Sequence, residues 1–313
     1  MKGIFTQGIM VLLEQAPAAS ELERCLAGFP LYGQRPGSGI GTAGGPTYAV
    51  LLPQSERGTV LVDLVDQPWP DDMGHRNGNM GLMTAWRTGH FGPLTHPGSL
   101  GRALGHSRGW PEAGTAVGRH RAFLRLRTTY EASTDLSRSG LPGEGVALVP
   151  TGMKAVSELI FLTRLALALL SLPGALCYFN PAGEVLATGD QLNQALDRQA
   201  ATGALPLEIW ANRRLHRWRR DWFCLDLVGL QQLDTADHEA FFLEGRYAAV
   251  DVASFLLDMA RYLLAEGPVI RQGDTADGPR GEQWQAHIAD EATMAPERPV
   301  LRWAPLTRGK LPF

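Results

Sequence analysis

The stretch Arg119-His120-Arg121-Ala122-Phe123-Leu124-Arg125-Leu126-Arg127-Thr128-Thr129-Tyr130 decides how the first half of the chain is read. Polar and apolar residues alternate along it, and successive side chains of a strand point to opposite faces. A strand over 119–130 therefore puts His120, Ala122, Leu124 and Leu126 on one face. Arg119, Arg121, Phe123, Arg125 and Arg127 share the other. Before it come a strand at Ile9–Leu13 and a helix opened by the Ser20/Glu23 capping-box spacing and ended by Gly28. Two strands at Thr47–Leu52 and Thr59–Val65 and a short helix near Leu100–His106 complete the series. The order β-α-β-β-α-β is that of a ferredoxin-like unit and predicts an N-terminal α+β unit over residues 1–132.

Residues 133–152, rich in Ser, Gly, Pro and acidic side chains, predict a linker or long loop, and a second α+β unit is expected over 153–313. It opens with Ala155–Leu172, apolar around its circumference except for Glu158 and Arg164, which predicts a buried core helix. A mid-segment arginine and a length below that of a spanning helix exclude a membrane segment there. Strands are expected at Leu176–Phe179, Leu207–Asn212, Trp222–Val228, Glu239–Glu244, Gln283–Ala289 and Pro299–Ala304. The clearest helix is Ala249–Ala265, where Asp251, Ser254, Asp258 and Arg261 form one wet stripe and Gly267-Pro268 ends the run. Strands and helices mix without strict alternation, so the fold class is α+β with mixed or antiparallel sheets and packed helices.

At 44% hydrophobic and 19% charged residues the composition is that of a globular chain rather than a disordered one. A formal charge of −3 gives no overall attraction to nucleic acid or anionic membranes. Cys25, Cys177 and Cys224 are far apart and lack C-x-x-C spacing, so they read as reduced thiols in a cytoplasmic protein. The opening residues carry no signal-peptide pattern, which agrees with that compartment.

Gly39-Ile-Gly41-Thr-Ala-Gly44 matches a dinucleotide fingerprint in letters, but Gly45-Pro46 and a strand follow it where the chemistry needs a helix N-terminus. No nucleotide or other cofactor is expected. Five histidines lie between His75 and His120, yet none pairs at i, i+4, and His238-Glu239 lacks the second histidine of H-E-x-x-H, so no metal site is expected. If the chain is an enzyme, its candidate acid–base groups are His90, His120, His238, Glu239, Asp274 and Asp277. The strongest binding candidates are the arginine face of 119–130, with Phe123 at its centre, and a second basic run that includes Arg217 and Arg219.

Asp226-Leu-Val-Gly229-Leu, Asp237-His-Glu-Ala240, Tyr262-Leu-Leu-Ala-Glu-Gly267, Gly273-Asp-Thr275 and Trp284 together resemble a bacterial family known as domain of unknown function 4261. The resemblance is strongest over residues 222–304 and continues upstream through Gly89-His-Phe-Gly92, His120-Arg-Ala-Phe123, Leu172-Pro-Gly-Ala-Leu176 and Tyr178-Phe-Asn-Pro181. Cys224-Leu-Asp-Leu227 departs from it, standing where a more Thr-rich strand end is expected. The resemblance implies no activity, substrate or cofactor; families of this kind often sit in bacterial secretion and toxin-immunity neighbourhoods, which suggests an immunity or accessory role. The expected function is thus a non-catalytic one, binding the acidic surface of another protein, such as a toxin or secretion component, and no membrane. The alternatives are a hydrolase or transferase using His90, His120 and the Asp274–Asp277 loop, and an anion or nucleic-acid binder working through the arginine strands.

Overall fold

The computed structural model describes residues 4–35, 45–53, 58–107, 109–130 and 155–306; the glycine loop 39–44 and the linker expected at 133–152 lie outside them. The chain divides into two compact units, Met1–Ile209 and Trp210–Phe313. Both mix strands and helices, so the fold class is α+β.

The first unit contains, in order, β1 (Phe5–Leu13), α1 (Ala19–Leu26), β2 (Leu31–Arg35), β3 (Thr47–Leu51), β4 (Gly58–Val65), α2 (Met80–Arg87), α3 (Ser99–Gly105), α4 (Ala113–Arg119) and β5 (Ala122–Tyr130). It continues with α5 (Ala155–Leu169), β6 (Ala175–Asn180), β7 (Val185–Ala187) and α6 (Gly189–Thr202). The strands form one antiparallel sheet in the order β2-β3-β4-β5-β1-β6-β7. A ferredoxin-like unit would put β1 between β5 and β4; here β5 lies between β1 and β4. The physical reason is the register, which sets Asp63 of β4 directly opposite Arg125 of β5. Only neighbouring strands satisfy both buried charges. Helix α5 and strands β6 and β7, expected in the second unit, belong to this one, because β6 pairs along the second edge of β1.

Both faces of the sheet are covered. Helix α5 packs on β1, β5 and β6 and buries Leu159, Leu162, Leu165, Ala166 and Leu169, while Arg164 points to solvent. Glu158, the other break in its apolar circumference, is buried and accepts from Thr6 Oγ1 at 2.8 Å and Tyr130 Oη at 2.5 Å. On the opposite face Trp69 stands edge-on to Phe91, Phe123 and Phe179 in a core completed by Met10 and Leu12. The turn Gly89–Gly92 comes down onto β1 so closely that a Cβ on Gly8 would lie 2.5 Å from Gly92 Cα.

The second unit has β8 (Asn212–Arg219), β9 (Trp222–Val228), β10 (Asp237–Leu243), α8 (Ala249–Glu266), β11 (Thr275–Asp277), β12 (Gln283–Ala289) and β13 (Val300–Pro305). Its sheet order is β11-β12-β13-β10-β9-β8, parallel at β10/β13 and antiparallel elsewhere. Helix α8 buries Val252, Phe255, Leu256, Ala260 and Leu263 and leaves Asp251, Ser254, Asp258 and Arg261 exposed, as its periodicity predicts. The strand expected at 207–212 is instead the helical turn α7 (Leu207–Trp210), and extended structure begins at Asn212. The Pro206 carbonyl accepts from Ile209 N–H and closes that turn. Among the described residues no helix is long and apolar enough to cross a membrane.

Leu165→Asp puts a carboxylate where a fully buried leucine contributes about 1.5–3 kcal/mol, and is expected to abolish the cooperative melting transition. Arg164→Asp, on the wet side of the same helix, should melt close to wild type. Gly8→Ala has no side chain to displace, only backbone, and should lower stability by about 1–3 kcal/mol in a denaturant titration.

Candidate functional site

The charged groups singled out from the sequence fall into three places. In the first unit, Asp63, Arg125 and Arg127 lie together at 2%, 1% and 4% exposure. Arg125 forks onto Asp63, with Nε 3.2 Å from Oδ1 and Nη2 on Oδ2. Arg127 Nη2 donates to Asp63 Oδ1 at 3.0 Å, and its guanidinium sits 4.4 Å from the Phe5 ring centroid. Burial works against the Asp63 carboxylate, but Arg127 and Arg125 prevail and hold it below the ordinary aspartate range. His90 completes the group. Its carbonyl accepts from Arg125 Nη1 at 3.4 Å, and its ring lies edge-on to Phe5. Glycines at positive φ, Gly89 and Gly92, flank it. Burial and the two guanidinium charges push the His90 imidazole down to about 4, with Asp63 offsetting them only in part.

The arginine face of 119–130 is therefore not an exposed stripe. Phe123, Arg125 and Arg127 are inside, because Asp63 pairs with both arginines and Trp69, Phe91, Leu100 and Ala103 share one buried core with Phe123 on that side of the sheet. Arg119 is the last residue of α4 and pairs with Glu14, and Arg121 donates to the carbonyls of Gly118 and His120. His120 follows α4 rather than lying on the strand. Its Nδ1–H donates to Val117 O, and its Nε2 accepts from Trp69 N–H at 3.0 Å, so both ring nitrogens hold the backbone.

In the second unit, one face of the sheet carries a buried network. Arg214 forks onto Asp226, with Nε–Oδ1 at 3.0 Å and Nη2–Oδ2 at 2.5 Å. Arg298 reaches Asp226 Oδ2 at 3.0 Å and Asp237 Oδ2 at 2.6 Å, and its Nη1 donates to the carbonyls of Met294 and Pro296. Asp237 Oδ1 accepts the N–H groups of Gly229, Leu230 and Gln231. Burial opposes ionisation of Asp226, yet hydrogen bonds from His216 and Arg214 and the charges of Arg214 and Arg298 hold it far below the ordinary range. Glu239 accepts from Arg302 Nε at 2.6 Å and from Thr293. Cys224, fully buried between these acids, is held as the thiol.

His238 and Glu239 are consecutive on β10 and so face opposite sides of the sheet. His238 Nδ1 accepts from Trp303 Nε1 at 3.1 Å, and burial lowers its pKa to about 3. Asp274 accepts from Arg271 N–H at 2.7 Å, and Asp277 from the side chain of Gln283, both at the surface. The six acid–base candidates are thus divided between the two units, and within each the bonds just described hold them singly. Among the described residues no group of three or more His, Cys, Asp and Glu could hold a metal ion.

The third place is β8, an edge strand with β9 on one side only. Arg214 is buried, while Arg213, Arg217, Arg219 and Arg220 are exposed. Arg217 pairs with Glu244 at 2.7 Å and lies over Phe223, and Arg219 stacks 4.0 Å above Trp218.

Asp63, Arg298 and Arg302 did not stand out from the sequence, and Arg214 did so only as a member of the basic run, not as a buried partner of Asp226. A signal existed for Asp63, the one carboxylate in an otherwise apolar strand, since an isolated acid there needs a cation on the adjacent strand. For Arg298 no local pattern points to the two aspartates it joins, which lie 72 and 61 residues away.

These features define an α+β protein whose two sheets each bury an arginine–carboxylate cluster. Residues 226–304 match the model of the family described as Domain of unknown function (DUF4261), so the resemblance read from the sequence holds there. That segment runs from Asp226 through Asp237, Glu239, Arg298 and Arg302, so most of the second network lies inside it; the upstream motifs lie outside. No curated protein and no solved structure matches the chain.

The histidine locked under Trp303 generates a pH prediction. The unfolded chain protonates His238 near the ordinary value of 6.5, whereas the folded chain resists down to about 3. Stability from this group is complete above the unfolded pKa and falls as pH drops below it, by about 1.4 kcal/mol per pH unit. Asp63 and Asp226 act with the same sign at lower pH, because their depressed folded pKa values make stability that is lost only as pH falls below the ordinary 3.8. Denaturant titrations between about pH 6.5 and 4.5 should show this slope, to which His90, held down to about 4, adds with the same sign; His238→Gln should lower the total by about 1.4 kcal/mol per pH unit and leave the His90 share. An unchanged slope in the variant would assign the loss elsewhere.

Proposed function

We propose that the protein is a non-catalytic binding protein that recognises an acidic protein surface through the outer edge of β8. One observation carries this reading. Arg213, Arg219 and Arg220 stand exposed on an edge strand and the turn after it, and none has a carboxylate partner among the described residues. Charged edge strands also discourage edge-to-edge pairing, but that purpose is met by charge of either sign. Stacking of arginines on Trp218 and Phe223 orients the guanidinium planes, and oriented guanidinia fork onto carboxylates in pairs. Internal stability gives little reason to keep such groups, since an exposed ion pair contributes only about 0–1 kcal/mol.

The saturation of His120 and Glu239 by neighbouring donors and acceptors supports a binding role over the hydrolase reading. An immunity or accessory role beside a secreted toxin, in a bacterial cytoplasm, fits the same surface, because it needs recognition and no chemistry.

The test is affinity capture from the host, comparing wild type with Arg213→Glu/Arg219→Glu/Arg220→Glu. Wild type should recover a protein partner whose association rate falls as salt rises, the screening length being about 8 Å at physiological ionic strength. The variant should keep its melting temperature and lose affinity by at least about tenfold. Equal recovery by the folded variant would overturn the proposal, and capture abolished by nuclease would transfer the edge to a nucleic-acid role.

A further inference from the structure

We infer that the first unit binds a small oxygen anion, a phosphate or a carboxylate, against Arg127. Counting charges inside the cluster leads to it. Arg125 and Arg127 together bring two positive charges, Asp63 brings one negative, and the side chains are 1%, 5% and 2% exposed. Both Asp63 oxygens are already engaged. Oδ2 takes Arg125, and Oδ1 is shared between Arg125 Nε at 3.2 Å and Arg127 Nη2 at 3.0 Å. That leaves Arg127 Nε and Nη1 buried with no hydrogen-bond partner. An uncompensated buried charge is strongly unfavourable, and buried donors are almost always satisfied.

The neighbours of Arg127 do not supply the missing acceptor. Across the ladder from it stands Gly8, which has no side chain. Above it lies the Phe5 ring, whose π face attracts the cation but accepts no fork of N–H groups. An anion with two or more oxygens meets both deficits at once: it neutralises the excess charge and accepts from Nε and Nη1. His90 adds polar capacity at the rim. Thr88 Oγ1 donates to the carbonyls of Thr84 and Ala85, so the 2.8 Å contact with His90 Nδ1 makes Nδ1 the protonated nitrogen. His90 Nε2 is then a bare acceptor, suited to a hydroxyl such as that of hydrogen phosphate. His90 is only partly buried and gives the cluster its contact with solvent.

Thermal melts and calorimetric titrations should be run with sodium phosphate, sulfate and acetate against sodium chloride at matched ionic strength. Wild type should show saturable binding and a rise in melting temperature of roughly 3–6 °C at ~10 mM of the preferred anion. Response to phosphate and sulfate but not acetate identifies a tetrahedral oxyanion, and the reverse order a carboxylate. Arg127→Met leaves Arg125 and Asp63 as a neutral pair, so it should fold and lose the response. Asp63→Asn removes the competing internal carboxylate and should tighten binding, which a purely structural cluster would not do. No response beyond chloride in wild type, or an equal response in Arg127→Met, would overturn the inference, whether or not Asp63→Asn folds.

Discussion

Asp63 facing Arg125 across β4 and β5 is the constraint around which the first unit is arranged. Buried opposite charges tolerate little displacement, because breaking such a pair by losing one partner costs about 3–5 kcal/mol. The pair selects the neighbour of β5, sets the register of that ladder and excludes the ferredoxin-like order of the same elements. The rest follows from where the pair sits. With β5 between β4 and β1, the second edge of β1 is open to β6, and α5 can lie over β1, β5 and β6 on the other face. The aromatic group of Trp69, Phe91, Phe123 and Phe179 then shields the charged side of the sheet from water.

The second unit uses the same chemistry with a longer reach. Arg298 joins β9 and β10 by holding Asp226 and Asp237 together, and its remaining donors fasten carbonyls of its own loop. Glu239 holds the same loop from the other end through Thr293, while Arg302 on β13 donates both to Glu239 and to Glu291 O. Acids on the sheet and arginines after it thus tie residues 290–299 down over one face. Helix α8 packs on β9 and β10 by apolar contact, so this sheet has one dry face and one ionic face.

Periodic features were legible in the sequence. The apolar circumference of Ala155–Leu169 and the wet stripe of Ala249–Glu266 appear where their spacing places them, because 3.6-residue periodicity is a local property. Alternation in β5 was also read correctly as alternation. Its meaning was not, since arginines facing water and arginines facing a buried aspartate 62 residues away have the same local pattern. Tertiary context decides between them, and it decided against an exposed stripe. The same limit hid Arg298. By contrast the basic edge β8 was legible as a basic run. The strand expected just before it, at 207–212, is a helical turn because Pro206 supports one in a stretch whose apolar residues suit either state.

Strand β13 is central in the second sheet yet is made last, at Val300–Pro305. During synthesis, β8, β9 and β10 leave the ribosome as a meander that can form its antiparallel ladders early. The far edge of β10 stays open, and β12 has no route into the sheet, until residue 305 is clear of the exit tunnel. Arg298 and Arg302 arrive in the same short interval. Until then Asp237 and Glu239 lack their arginines, and Asp226 has Arg214 as its one arginine partner. Hydrogen bonding of the central strand and neutralisation of the buried acids are therefore supplied by one short segment, residues 298–305.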